Sequence, residues 1–180
     1  LVLGFSSCED FLDVNANPNQ LTEVPSGDLL LKGTLLANAQ LHKGHLLRSS
    51  MYYSGGLVGV QLVQQTIYNY SFTPGDADAN WEHIYNGILV QNKKIRELSP
   101  NLDLLQGIID INEALAIGTA TTIWGDIPYS EAVPNNPSLL SKKPTYDGQA
   151  DVYAAVQSLL DQGINKVANA NTSTGSEDIF

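Results

Sequence analysis

The stretch that most constrains this chain is "IIDINEALAIGTATTIW", residues 108 to 124. Wound at 3.6 residues per turn, it is apolar on most faces and rich in Ala, Gly and Thr. A helix with one apolar stripe needs one neighbour, whereas a helix apolar nearly all round must be packed on several sides. The spacing predicts a helix from about Leu105 to Trp124, surrounded by other helices. Its end is chemical: Gly125 takes the turn that stops a helix, and Pro128 cannot continue one.

Four further segments carry the helical period. The first follows Ser26 as its cap, with Pro25 just outside, and bears Leu29, Leu30, Leu36 and Leu41. After a break at "KGH", a second runs from about Leu46 to Gln65 with Tyr52, Tyr53, Leu57, Val60 and Leu62. Gly55, Gly56 and Gly59 inside it each cost roughly 1 kcal/mol against alanine, so a neighbour packs closely there or the helix breaks. A polar loop, "YNYSFTPGDAD", leads to Asp78 as the cap of the third, "NWEHIYNGILVQNKKIREL". Trp81, Ile84, Tyr85, Ile88, Leu89, Ile95 and Leu98 form its stripe, and Lys93, Lys94 and Arg96 sit where cations favour the helix dipole. Beyond a proline-bearing loop over 126 to 146, "TYDGQADVYAAVQSLLDQGI" begins the fifth helix, with Val152, Tyr153, Val156, Leu159, Leu160 and Ile164 on one face. No segment alternates as a strand for long. The expected fold is all-α, with tetratricopeptide-like hairpins pairing the first helix with the second, the third with the fourth, and the fifth with an absent sixth.

The chain has 180 residues, 43% hydrophobic and 16% charged, enough to bury a core in one domain or part of one. Its net charge of -10 argues against nucleic acid, which is held by Lys and Arg through counterion release. It also argues against a basic patch on anionic lipid. The single cysteine, Cys8, excludes an internal disulfide. "LVLGFSSCED" resembles the end of a bacterial lipoprotein signal, with Cys8 as the lipid attachment site. The alternative is a buried cysteine acting as a small hydrophobe. The expected organisation is a signal remnant over 1–8, an extended tether over 9–25, and a helical region over 26–180 that is cut short at its C-terminus.

Several chemistries are weighed and set aside. "DVNAN" opens like a calcium loop, but Pro18 and Val24 stand where glycine and a bidentate glutamate are needed. His42 and His45 lack the third ligand and the carboxylate support of a metal site. No nucleophile elbow, phosphate loop or dinucleotide fingerprint is present, and no cofactor is implied. Asp126 with Glu131, or Asp110 with Glu113, supplies the paired carboxylates of a glycosidase only as any acidic chain does by chance. The stronger signal is aromatic. Tyr68, Tyr70, Phe72, Asn80 and Trp81 cluster in or beside one loop, where rings stack on sugar C–H faces and an amide bonds hydroxyls. Tyr68, Tyr70, Asn80 and Trp81 are the candidate ligand-binding residues. The alternative for Trp81, on its helical stripe, is core packing. Tyr52, Tyr53, Tyr85 and Tyr153 read as packing, Trp124 as packing between hairpins, and Asp126 as the tie of its own turn.

"SCEDFLDVNANPNQ", "NWEHIYNGILVQNKKI", "ALAIGTATTIWGDIPYSEAV" and "TYDGQADVYAAVQSLLDQ" together resemble the SusD/RagB family of Bacteroidetes outer-membrane lipoproteins, the SusD-like branch, over nearly the whole chain from Cys8. The resemblance implies an all-α fold of four tetratricopeptide-like hairpins beside a further ligand-binding region, of which this chain holds the first part. It implies binding rather than catalysis: a lid on a SusC-like, TonB-dependent transporter that captures an oligosaccharide or other nutrient at the cell surface. Glu9 and Asp10 fit the signals that send such lipoproteins outward. A tetratricopeptide-like interaction scaffold and a helical glycosidase are the alternatives from other classes.

Overall fold

The computed structural model describes residues 27–71, 73–133 and 143–170. Cys8, the tether, Ser26 as a cap, Phe72, the middle of the 126–146 loop and the polar tail lie outside the described residues. The chain is all-α. Helices α1 (Gly27–His42), α2 (His45–Tyr53) and α3 (Leu62–Tyr68) are followed by a single 3-10 turn, Pro74–Asp76. Helix α4 (Asp78–Glu82), a π-helical segment (His83–Leu89) and α5 (Val90–Leu98) then run on without interruption. Helices α6 (Asp103–Trp124) and α7 (Gln149–Asn169) complete the order.

Helix α6 is the axis. Leu105, Ile109, Ala116, Ile117 and Ala120 are fully buried along it, as a helix apolar on several sides requires. Each fully buried Leu or Ile contributes about 1.5–3 kcal/mol. Helix α1 lies parallel to α6, joined by Asn38 to Asn112 and by His42 to Thr119. The α4–α5 run lies antiparallel on another side, with Trp81 at Trp124 and Arg96 at Asp110, and α7 lies antiparallel on a third. Two glycines set the α6–α7 spacing. A Cβ on Gly107 would stand 2.8 Å from the Gly163 carbonyl oxygen, and one on Gly163 would stand 2.9 Å from that of Gly107. The two backbones touch there, which no larger residue permits.

The pairing differs from the sequence expectation. Helix α1 takes the third and fourth segments as partners rather than the second, and the fifth packs on the fourth. The reason is the second segment's length. Gly55 adopts φ +77° and ends α2 after nine residues, leaving too short a face to hold α1. Leu57, Val60 and Leu62, expected on a helical stripe, are exposed instead. On α1 the core face is Leu31, Thr34, Asn38 and Leu41, while Leu29 and Leu36 face solvent. The opposing helices offer Asn92 and Asn112, so the face that satisfies them turns inward.

Two smaller differences fall in the third segment. Asp78 is the first helical residue rather than the cap. The capping box is one turn earlier, where Asp76 accepts from the Thr73 amide and hydroxyl at 2.8 and 2.7 Å. On the stripe, Leu98 is exposed, and the polar Asn92 is fully buried in line with it.

Asn92 belongs to a hydrogen-bonded chain that crosses the core. Asn38 Nδ2 donates to Asn112 Oδ1 at 2.6 Å, Asn112 Nδ2 to Thr34 Oγ1 at 3.0 Å, and Thr34 Oγ1 to Asn92 Oδ1 at 2.9 Å. Asn92 Nδ2 then donates to the Ile109 carbonyl at 3.1 Å. Arg96 follows one turn on, with 2.8 Å bonds to both Asp110 and Glu113, and Lys166 of α7 closes on Asp110 at 2.5 Å. Buried polar groups are tolerable only when partnered. Each bond here joins two different helices, so the network fixes which helices meet.

Candidate functional site

The end of α6 and the start of α4 meet at one edge of the molecule. Gly125 stops α6 at φ +75°, leaving Trp124 as the last helical residue. The Thr73–Asp76 capping box orients the entry to α4, which carries Trp81. The two indoles meet edge to face, with centroids 5.3 Å apart and planes at 90°. Tyr85 packs on Trp81 at 4.7 Å, and its hydroxyl donates to the Pro128 carbonyl at 2.7 Å. Burial, with Tyr146 and Asp147 nearby, raises the Tyr85 pKa far above its ordinary value, so it stays a donor.

The loop after α6 is brought back by a single antiparallel bridge. Ile127 and Asp147 exchange backbone hydrogen bonds of 3.2 and 2.9 Å. The Asp147 carboxylate accepts from the Tyr129 and Ser130 amides at 2.8 and 2.7 Å and from the Ser130 hydroxyl at 2.7 Å. Asp126 Oδ1 accepts from the Gln149 amide at 2.9 Å, so it anchors the start of α7 rather than its own turn. Glu131 accepts from Thr145. These ties return Tyr146 to the side of Trp124.

The result is a groove of about 640 Å³ lined by Thr73, Pro74, Ala77, Asp78, Trp81, Trp124, Asp126 and Tyr146. Three aromatic side chains, two carboxylates and two hydroxyls converge on it. That mixture suits a polyhydroxylated ligand: rings for its C–H faces, acceptors for its hydroxyls.

The candidate residues from sequence divide. Trp81 packs on the core, as its helical stripe suggests, and also lines the groove. Asn80 is buried and does not line the groove. Tyr70 stacks on Tyr53 with centroids 4.8 Å apart and planes at 9°, and Tyr68 meets Tyr52 edge-on at 6.4 Å. Both tyrosines are exposed, on a second aromatic cluster outside the groove. Trp124, Asp126, Asp78 and Tyr146 line the groove without being among the sequence candidates. Each had a bland local role, and Tyr146 stands 22 positions beyond Trp124 with only the loop's closure to bring it back. An aromatic at each end of a proline-bearing loop was the one signal available.

Asp110 and Glu113, a carboxylate pair in sequence, are held by Arg96 and Lys166, and the Tyr129 hydroxyl donates to Glu113 at 3.0 Å. Although burial opposes its charge, Arg96 is held above its ordinary pKa by Glu113 and Asp110. Tyr129 is likewise pushed far up, first by burial and then by Glu113. His42 bonds the Asn38 carbonyl and Thr119, and His45 lies 3.6 Å from Asp76. Among the described residues no group of three or more His, Cys, Asp or Glu is placed to hold a metal ion.

The described helices pack around α6, with an aromatic groove at one edge and with Arg96 and Lys166 holding the α6 carboxylates. The chain belongs to the SusD-like_2 family, described as "Starch-binding associating with outer membrane", whose model matches residues 18–180. No individual curated protein matches it.

Proposed function

We propose that the protein is a cell-surface glycan-binding lipoprotein, anchored through Cys8 to the outer membrane, that captures an oligosaccharide without transforming it. It serves as the lid of a SusC-like, TonB-dependent transporter. The observation that carries this reading is the groove between Trp81, Trp124 and Tyr146 in a chain of a starch-binding family. Among the described residues no helix is long and apolar enough to cross a membrane. Binding rather than hydrolysis is supported by Asp110 and Glu113, whose carboxylates are engaged by Arg96 and Lys166 in the core.

Calorimetric titration with α-glucan and β-glucan oligosaccharides tests the reading. Trp81→Ala and Trp124→Ala should each weaken binding by about 10- to 100-fold, in line with roughly 1–3 kcal/mol per stacked ring. Tyr68→Ala with Tyr70→Ala tests the second aromatic cluster. A loss confined to that pair would move the site there. No binding of any oligosaccharide by the folded chain would remove the function.

A further inference from the structure

The charge of the groove is one-sided. Among the described residues its lining holds two carboxylates, Asp78 and Asp126, both exposed, and no Lys, Arg or His. The one described bond to Asp126 uses Oδ1 and comes from a backbone amide, so it leaves the charge in place. The aromatic lining adds to the same sign. Ring faces carry negative potential and attract cations, most strongly at tryptophan, and the lining holds two indoles and a tyrosine. The chain as a whole carries the same sign, with a net charge of -10. A neutral sugar finds acceptors for its hydroxyls there, but covers the carboxylates without neutralising them. An acidic sugar meets like charge. A protonated amine meets carboxylates and ring faces together.

Resting on the glycan-binding reading, we propose that this groove selects amine-bearing, cationic oligosaccharides over neutral and acidic ones. Asp78 and Asp126 supply the counter-charge, and Trp81 and Trp124 supply stacking and cation–π attraction. Both carboxylates are solvated, so the preference is moderate and falls with salt.

The test is calorimetry on the whole chain with a β-1,4-glucosamine hexasaccharide, its fully N-acetylated counterpart, an oligogalacturonate and hexalysine. The first two share one backbone and differ in the charge and acetylation of the amine. The expected result at low salt is about tenfold tighter binding of the amine form, equivalent to about 1.4 kcal/mol, shrinking at high salt. Oligogalacturonate should bind least. Asp78→Asn, with an unchanged circular dichroism spectrum, should bring the amine-to-acetyl ratio toward one. Equal or tighter binding of the acetylated form overturns the cationic preference and leaves glycan binding standing. Hexalysine matching the amine sugar overturns it too, because charge alone would then be read. Failure of every sugar, glucan oligosaccharides included, overturns the glycan reading itself.

Discussion

Asp147 shows how much one side chain decides at the site. It accepts three hydrogen bonds across the loop and sits one residue from Tyr146. Partial burial pushes its pKa up, but the Ser130 and Tyr129 bonds outweigh that and hold it below the ordinary 3.8. A carboxyl depressed in the folded state gives stability that is whole above its unfolded pKa and is lost as pH falls through the folded one. Asp147→Asn should therefore lower stability by about 1 kcal/mol near neutral pH, its partly exposed bonds being screened. The gap to the parent should close below about pH 4. Thermal melts across that range check it, and a gap unchanged at low pH would assign the loss to shape rather than charge. The sequence marked a turn here and named the wrong aspartate, because Asp126 and Asp147 are equally good turn residues until the bridge pairs 127 with 147.

At the scale of elements, the α6–α7 contact and the polar chain carry the specificity. Gly163→Ala should destabilise by about 1–3 kcal/mol, since its Cβ has no room, even though alanine is the better helix former by about 1 kcal/mol. Gly33→Ala is the contrast: no atom lies within 4 Å of its would-be Cβ, so it should stabilise by up to about 1 kcal/mol. Urea midpoints for the two variants should move in opposite directions. Arg96→Met leaves Glu113 without its cation and Asp110 with Lys166 alone. We expect a loss of roughly 3 kcal/mol, the low end for a broken buried pair because Arg96 is partly exposed. Helices were legible here wherever apolar spacing was strong, as in α6 and α7. Their partners were not. Thr34, Asn38 and Asn92 are polar and no apolar period singles them out, yet they choose the faces that meet. Nor does a 3.6-residue period announce the π-helical segment His83–Leu89.

For the whole molecule, binding and stability are linked. An oligosaccharide that binds only the folded chain should stabilise it by about 2.7 kcal/mol at 100 times its dissociation constant. Trp124→Ala should cut that gain to about 0.4–1.4 kcal/mol at the same concentration, as read by the melting temperature with and without sugar. A gain that survives Trp124→Ala in full would place the sugar elsewhere, and the exposed Tyr53–Tyr70 stack is then the next surface to test.

The sequence alone determined the all-α class, the course of the central helix, its stop at Gly125 and the family. These are local: period, caps and breakers act within a few residues, and a motif is read in a line. Tertiary structure decided which helices pair, which face of α1 turns inward, and that Trp81, Trp124 and Tyr146 share a groove. Those outcomes depend on groups far apart in the chain satisfying one another, as Asn38 does with Asn112 and Ile127 with Asp147, and such a choice exists only once the chain has folded.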